Sequence, residues 1–167
     1  QWEVRAIEAA PHMLRDGLDL ALLRAPHGTL QPGDRLLFEE QVFPVCSPSL
    51  GLDGTPEALL KVNLLQEEVT ASPGKEWPTW LALLGLGRGA RANMVHFSSF
   101  NGAIGAASAG AGVALGRSPL VDLDLASGRL VRPFGDLART GSWDVVLRRR
   151  PGAERDRHVG QLERFLL

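Results

Sequence analysis

The alternation of apolar runs with polar turn residues predicts an α/β protein. The nearly continuous apolar run LDLALL, residues 18–23, is typical of a strand buried on both faces of a parallel sheet, and a long extended stretch follows at 35–46. Further strands are predicted at 2–7, 63–67, 92–97, 130–133 and 143–147. Helices are predicted at 77–84, 98–109, 120–126 and 156–167, and Thr55-Pro56 predicts the start of a short one. Because strands and helices alternate, we expect a mostly parallel sheet with helices on both faces.

The stretch with the strongest local signals is SSFNGAIGAASAGAGVALG, residues 98–116. Ser98 or Ser99 can cap a helix by accepting its first free N–H groups, and Gly110 and Gly112 end that helix just before an apolar strand. The small residues on its apolar face allow the helix to lie close to a sheet. Its N-terminus, where N–H groups and the helix dipole converge, is suited to a carboxylate. The stretch therefore predicts a glycine-terminated helix in an α/β layer, and it is a candidate wall of a ligand site.

The predicted elements form two groups that the chain joins twice, near 44–48 and near 115–119. In both places a Ser-Pro pair follows a buried strand, where the chain must turn. We therefore predict a first lobe of residues 1–46 and 117–167, a second lobe of residues 47–116, and a hinge at the two crossings. Such sheets bind ligands at the carboxyl ends of their strands, which places the expected site in a cleft between the lobes.

Composition narrows the class of protein. The chain has 167 residues, 44% of them hydrophobic and 22% charged, as in ordinary globular proteins. A mean hydropathy of −0.02, with no apolar run of membrane-spanning length, predicts no membrane span. The single cysteine, Cys46, fits a reducing compartment, and the start of the chain has no signal-peptide pattern, so we expect a cytoplasmic protein. A net charge of −1 does not indicate that this chain itself binds nucleic acid, which favours an excess of positive charge.

The sequence contains no pattern that indicates catalysis. The four histidines lack metal-ligand spacing, and neither a nucleophile elbow nor a phosphate-binding loop is present. The neighbours Glu67 and Glu68 would point to opposite faces of a strand, which argues against an acid/base pair. We therefore expect no metal, no cofactor and no enzymatic activity. Trp77 and Trp80 are expected in the core, and the run Arg148-Arg149-Arg150 is interpreted as a solvated strand end, with a phosphate or partner contact as the alternative.

Candidate ligand-binding residues all follow predicted strands. A guanidinium at the end of LDLALL could pair with a carboxylate, although a solvated loop arginine would look the same. Hydroxyl groups and free N–H groups that face one cleft would suit a small organic acid or amino acid. We expect Ser47 and either Ser98 or Ser99 to share such a cleft with Arg24. The candidate residues are Arg24, Ser47, Ser49, Ser98, Ser99, Phe100 and Arg117.

Five segments, in this order and spacing, resemble the effector-binding domain of LysR-type transcriptional regulators, in particular the branch of the glycine-cleavage activator. The segments are DGLDLALLRA (16–25), LLFEEQVFPVCSPSL (36–50), EWPTWLALLGL (76–86), SSFNGAIGAASAGAGVALGRSPLV (98–121) and LASGRLVRPF (125–134). The resemblance implies two Rossmann-like α/β lobes joined by two crossover strands, the type 2 periplasmic-binding-protein-like fold. The resemblance also implies that the sequence starts at the second strand of the first lobe, after the initial strand and helix that relatives carry.

The resemblance also implies a function and partners. It implies a sensory, non-enzymatic domain that binds a small anionic metabolite, an amino acid or organic acid, between its lobes. Partners would be a second copy, in a homodimer or tetramer, and DNA only through an N-terminal domain outside this chain. We expect the flank around residues 2–7 to take part in self-association. The alternative from another class is the solute-binding protein of a transporter, which a signal peptide would distinguish.

The family's first strand lies between the second and third strands, so its absence would leave a slot between residues 2–7 and 18–23. Either these strands pair directly or another chain fills the slot. The interpretation that we favour is that about thirty residues, the length of the missing strand and helix, precede the sequence in the molecule.

Overall fold

The computed structural model describes residues 3, 12–68, 76–87, 91–153 and 156–166. The strands are β1 (Leu20–Pro26), β2 (Asp34–Val45), β3 (Asn63–Glu67), β4 (Asn93–Phe97), β5 (Val113–Ser118) and β6 (Arg139–Arg149). The helices are α1 (Trp77–Leu83), α2 (Phe100–Ser108), α3 (Asp122–Ala126) and α4 (Arg157–Leu166), with short 3₁₀ helices at Pro48–Leu50 and Pro56–Lys61. Within the described residues, no helix combines the length and the apolar character that a membrane crossing requires.

The chain divides into two compact units. The smaller contains Gln1–Glu39 and Trp143–Leu167, and the larger contains Glu40–Ser142. The second boundary between these units lies at 142/143, because α3 and the segment after it pack with α2: Val121 and Leu130 share a core cluster with Ala107. Both predicted crossings therefore lie inside the larger unit. The two lobes expected from the sequence, 1–46 with 117–167 and 47–116, stay a prediction, as does movement about residues 44–48 and 115–119.

The sheet of the larger unit has the strand order β2-β5-β3-β4. Strand β3 is parallel to β4 and to β5, but β2 is antiparallel to β5, with Val42 opposite Arg117. The sheet is thus mixed rather than mostly parallel. Parallel neighbours need a crossover connection, and α1 and α2 supply one only among β3, β4 and β5.

Helices cover both faces of this sheet, as predicted. Leu64 and Leu65 are consecutive in β3 and point to opposite faces, and they belong to different core clusters. Leu64 packs with Trp77 and Trp80 of α1, which are both fully buried, so the prediction that they are core residues is confirmed. Leu65 packs with the small face of α2, formed by Ala103, Ile104 and Ala107.

Several local predictions need correction. Residues 130–133 form no strand, since only an isolated bridge joins Val131 to Cys46. The short helix after Thr55 is a 3₁₀ helix, and the Thr55 hydroxyl donates to Asp53 at 2.6 Å instead of capping it. Helix α3 begins at Asp122, later than the predicted start at 120.

In the smaller unit, β1 pairs with β6 in antiparallel register, from Leu20 opposite Arg149 to Pro26 opposite Trp143. The prediction of a parallel strand buried on both faces was wrong, since Leu22 is 57% exposed. An antiparallel strand commonly leaves one face in solvent, and apolar composition alone does not reveal the direction of pairing. The predicted strand at 2–7 lies outside the described residues apart from Glu3, which is in no strand.

The arginine run in this unit is held by carboxylates rather than free in solvent. Arg148 makes a bidentate contact with Asp34, at 2.7 and 2.8 Å. Arg149 pairs with Glu163 of α4, and Arg150 pairs with Asp19. Because each guanidinium has an internal carboxylate, the run ties the end of β6 to its neighbours.

Candidate functional site

Polar residues collect where three parallel strands of the larger unit end. The carboxyl ends of β3, β4 and β5 lie at one edge of the sheet because these strands are parallel. Glu67 is the last residue of β3, Ser98 and Ser99 follow β4, and Arg117 lies near the end of β5. Sheets of this kind bind ligands at this edge.

A pocket opens at this edge, with walls from β2, β3, β5 and the first turn of α2. Arg117, Glu67 and Gln66 provide its polar groups, and the remaining lining side chains are apolar. The lining residues are Val42, Leu65, Gln66, Glu67, Phe100, Ala103, Leu115 and Arg117. A few polar groups within an otherwise apolar concave surface are typical of small-molecule sites.

Arg117 is the cation of this pocket. It is only 6% exposed, and its Nη2 donates to Oε2 of Glu67. The guanidinium carbon also lies 4.5 Å from the centroid of the Phe100 ring. A buried guanidinium requires compensation of its charge, and here a carboxylate and an aromatic face provide it.

The backbone beneath Glu67 is held by Gln66, which is 8% exposed. The Gln66 amide nitrogen donates to the carbonyl of Glu67 at 2.7 Å, and its amide oxygen accepts the backbone N–H of Trp77 at 3.0 Å. The indole N–H of Trp77 donates to the carbonyl of Leu65 at 3.1 Å. These contacts tie the start of α1 to the end of β3, and they position Glu67 toward Arg117.

The N-terminus of α2 forms part of the same edge. Ser99 is the N-cap, and its hydroxyl accepts the backbone N–H of Gly102 at 3.2 Å, which confirms the predicted capping role. Phe100 is the first helical residue and places its ring against Arg117. Ser98 and Ser99 are exposed and do not line the pocket.

Ser47 and Ser49 lie at the other end of α2. The N–H of Ser47 donates to the carbonyl of Ala107 at 3.1 Å, and the two serine hydroxyls are 2.8 Å apart. At 1.5 Å per residue, Ala107 is about 12 Å along the helix from Ser99. The structure therefore does not bring these serines together with Ser98 and Ser99.

Arg24 belongs to the smaller unit, where its side chain is exposed and its guanidinium carbon lies 5.2 Å from the ring centroid of Trp143. The expectation that Arg24 shares a cleft with the serines stays a prediction. Of the residues predicted from the sequence, Phe100 and Arg117 are the two that line the pocket.

Glu67 is the site residue that sequence reasoning missed. The sequence pattern argues against an acid/base pair of Glu67 with Glu68 and gives Glu67 no other role, whereas in the structure its carboxylate contacts Arg117. The available signal was its position at the end of a predicted strand, the same feature that identified Arg117. The ion pair spans 50 residues of sequence, so no local pattern could reveal it.

Two other reactive side chains have structural surroundings. Cys46 is buried, and burial raises the pKa of its thiol, which disfavours the reactive thiolate. In the smaller unit, His27 Nδ1 lies 2.8 Å from Oδ1 of Asp144, a contact that raises the pKa of His27. The described residues contain no group of three or more His, Cys, Asp or Glu side chains that could hold a metal ion.

Comparison with known proteins identifies one family. The family model described as the LysR substrate binding domain matches residues 2–167. The HTH-type transcriptional regulator TrpI of Pseudomonas aeruginosa is 37% identical over 164 residues, which cover 91% of this chain and 52% of that protein. The glycine cleavage system transcriptional activator of Escherichia coli is 33% identical over 141 residues, covering 80% of this chain and 44% of that protein. The chain thus spans about half the length of the curated relatives it matches.

Solved structures agree with this result. The effector domain of the transcriptional regulator AmpR of Pseudomonas aeruginosa aligns with a TM-score of 0.66 and 25% identity, over 95% of this chain and 75% of that chain. The AmpR effector binding domain from Citrobacter freundii aligns with a TM-score of 0.67 and 25% identity, over 94% of this chain and 76% of that chain. These likenesses confirm the predicted α/β fold class.

Proposed function

The chain belongs to the LysR substrate-binding-domain family, as its motifs indicated, and on that premise we propose that it senses a small anionic metabolite through Arg117. The relatives are transcriptional regulators by name, not enzymes. The observation that carries the proposal is the buried guanidinium of Arg117 in the pocket where β3 and β5 end.

The chemistry of the pocket suits a carboxylate. A guanidinium offers a rigid set of N–H donors that matches the two oxygens of a carboxylate, and the apolar walls exclude competing water. Glu67 already occupies one of these donors in the structure, so an entering carboxylate would exchange with a carboxylate of the protein. An exchange of this kind replaces one ion pair with another and leaves Arg117 compensated.

Arg117 lies on β5 and faces Val42 on β2. The predicted crossings at 44–48 and 115–119 begin within β2 and β5, respectively. A ligand that contacts these strands differently in two conformations would shift the balance between them. We expect this shift in conformation to alter DNA binding by an N-terminal domain of a longer protein. That protein would act in the cytoplasm as a homodimer or tetramer.

The test is a thermal-shift titration of the purified chain with a panel of organic acids and amino acids. A compound that binds the folded chain alone should add about 2.7 kcal/mol of stability at 100 times its dissociation constant. Arg117→Lys keeps the charge but removes the two-pronged contact, and it should abolish most of the shift measured against its own unliganded melting temperature.

Arg129→Lys is the matched control, because Arg129 lies in the same unit and pairs with Asp124 outside the pocket. It should leave the ligand-induced shift unchanged. Equal shifts in the wild type and both variants would contradict the assignment of Arg117.

A further inference from the structure

The pocket of the larger unit contains one positive and one negative side chain in direct contact, which bears on the kind of ligand it accepts. We propose that it selects a zwitterionic α-amino acid over a plain carboxylic acid, with Arg117 binding the carboxylate and Glu67 binding the ammonium group. This inference rests on the proposed function and specifies its ligand class.

The charge balance of the pocket supports this choice. Arg117 and Glu67 are the charged residues among the lining side chains, so together they add no net charge. An anion that takes Arg117 for itself leaves the Glu67 carboxylate without its cation, next to a second negative charge. A zwitterion between them gives each protein group an opposite charge, and no buried ion is left uncompensated.

The side chains of Arg117 and Glu67 are held with different firmness, and Glu67, the less restrained of the two, is the one that must move when a ligand enters. The side chain of Arg117 is 8% exposed and that of Glu67 is 20% exposed. The guanidinium is further restrained by the Phe100 ring at 4.5 Å, whereas the contacts of Gln66 hold the backbone of Glu67 rather than its carboxylate. Glu67 can therefore swing outward on fixed backbone while Arg117 stays in place.

The short span of an α-amino acid fits the same geometry. Its carboxylate and ammonium groups are attached to one carbon atom. Arg117 and Glu67 are in contact in the structure, and a small displacement of Glu67 is enough to admit both groups between them. The remaining walls come from Leu65, Ala103, Leu115 and the ring of Phe100, which suits an aliphatic side chain. An amine without a carboxylate would compete with Arg117 for Glu67 and offer no negative charge in exchange, so it should bind poorly as well.

The experiment compares matched ligands by isothermal titration calorimetry on the wild-type chain. Glycine, L-alanine, L-valine and L-leucine are each paired with the acid that lacks the amine: acetate, propionate, isovalerate and 4-methylvalerate. At least one amino acid should bind, and its matched acid should bind about tenfold more weakly or worse.

Glu67→Gln should reverse this preference, because Gln can still accept from Arg117 but no longer attracts an ammonium group. The amino acid should lose about tenfold in affinity, and the matched acid should gain. Glu68→Gln, the same change at the exposed neighbouring residue, should alter neither affinity.

The inference is overturned if wild type binds acids as tightly as the matched amino acids, if it binds none of the amino acids, or if Glu67→Gln weakens both ligand classes equally. The wild-type comparison needs no variant, so it decides the matter even if Glu67→Gln folds poorly. Acids that bind through Arg117 while amino acids do not would refute the zwitterion but preserve the proposed function.

Discussion

At the scale of single residues, Gly112 and Gly105 have opposite surroundings within the same small-residue stretch. A Cβ at Gly112 would lie 2.3 Å from the backbone oxygen of Asn63, whereas a Cβ at Gly105 would meet nothing within 4 Å. Gly112→Ala should therefore lower the free energy of unfolding by about 1–3 kcal/mol, because the backbone of β3 has to move. Gly105→Ala, in mid-helix, should raise it by about 0.4–1 kcal/mol.

Urea denaturation of both variants measures these changes. Each substitution adds one methyl group to the same short segment, so each serves as the control for the other. A Gly112→Ala variant as stable as Gly105→Ala would show that β3 does not approach β5 this closely.

His27 provides a residue-scale prediction about pH. The hydrogen bond that the His27 ring donates to the Asp144 carboxylate is the main cause that raises the pKa of His27 above its ordinary 6.5, with smaller contributions from the charges of Asp144 and Glu39. The pair therefore stabilises the fold fully below the unfolded pKa, and this contribution is lost as the pH rises through the folded pKa. The stability advantage of wild type over His27→Gln should therefore be largest at mildly acidic pH, below 6.5, and should shrink across the range from there to alkaline pH.

Melting temperatures of wild type and His27→Gln across this range test the sign. An NMR titration of the His27 ring, assigned with the same variant, is an independent check and should give a midpoint above 6.5. A constant or growing advantage of wild type toward alkaline pH would exclude the ion pair.

At the scale of elements, α2 connects the pocket with the first predicted crossing. Its N-terminal residue Phe100 lines the pocket beside Arg117, and the carbonyl of Ala107 near its C-terminus accepts the N–H of Ser47. Between these ends, its small buried side chains pack on Leu65 of β3. The position of α2 therefore depends on contacts at the pocket and on contacts at the first predicted crossing.

The N-cap of α2 should be worth a measurable amount of stability. Ser99→Ala removes the acceptor of the Gly102 N–H, and it should lower the free energy of unfolding by about 1 kcal/mol. Ser98→Ala is the matched control at the neighbouring exposed hydroxyl, and it should change stability by less than about 0.5 kcal/mol. Chemical denaturation of both variants checks this, and equal losses would assign the cap to neither residue.

At the scale of the whole molecule, exposed apolar side chains favour self-association. Leu22 of β1 is 57% exposed, and Leu36 and Phe38 of β2 are 39% and 48% exposed. Exposed apolar side chains that lie close together commonly mark a contact with another protein molecule. The family resemblance implies a homodimer or tetramer, and we predict that these side chains take part in its interface.

We expect light scattering at tens of micromolar to give a mass of at least twice the 18.0 kDa of one chain. Phe38→Glu would place a charge on the exposed apolar surface and should lower that mass, whereas Leu123→Glu, at an 82% exposed position on α3, serves as the comparison. A single-chain mass for wild type across the concentration range would contradict the prediction.

The local elements were largely predictable because their signals are local. Strand β3 was predicted with its observed bounds, and β4 and α1 within one residue at each end, from apolar periodicity and flanking turn residues. The cap at Ser99 and the left-handed Gly110 and Gly128 that follow α2 and α3 come from signals within a few residues. The motifs in sequence order also identified the family.

By itself, then, the sequence determined most of the element types, the α/β class, the family and the candidate status of Arg117. Only the tertiary structure decided the direction of β1 and β2, the division at 142/143, and the partner of Arg117. Periodicity reports which face of an element is buried, and it contains no information on which distant strand lies beside it. The contact between Glu67 and Arg117 exists because β3 and β5 are parallel neighbours, although the two residues are 50 positions apart in the sequence.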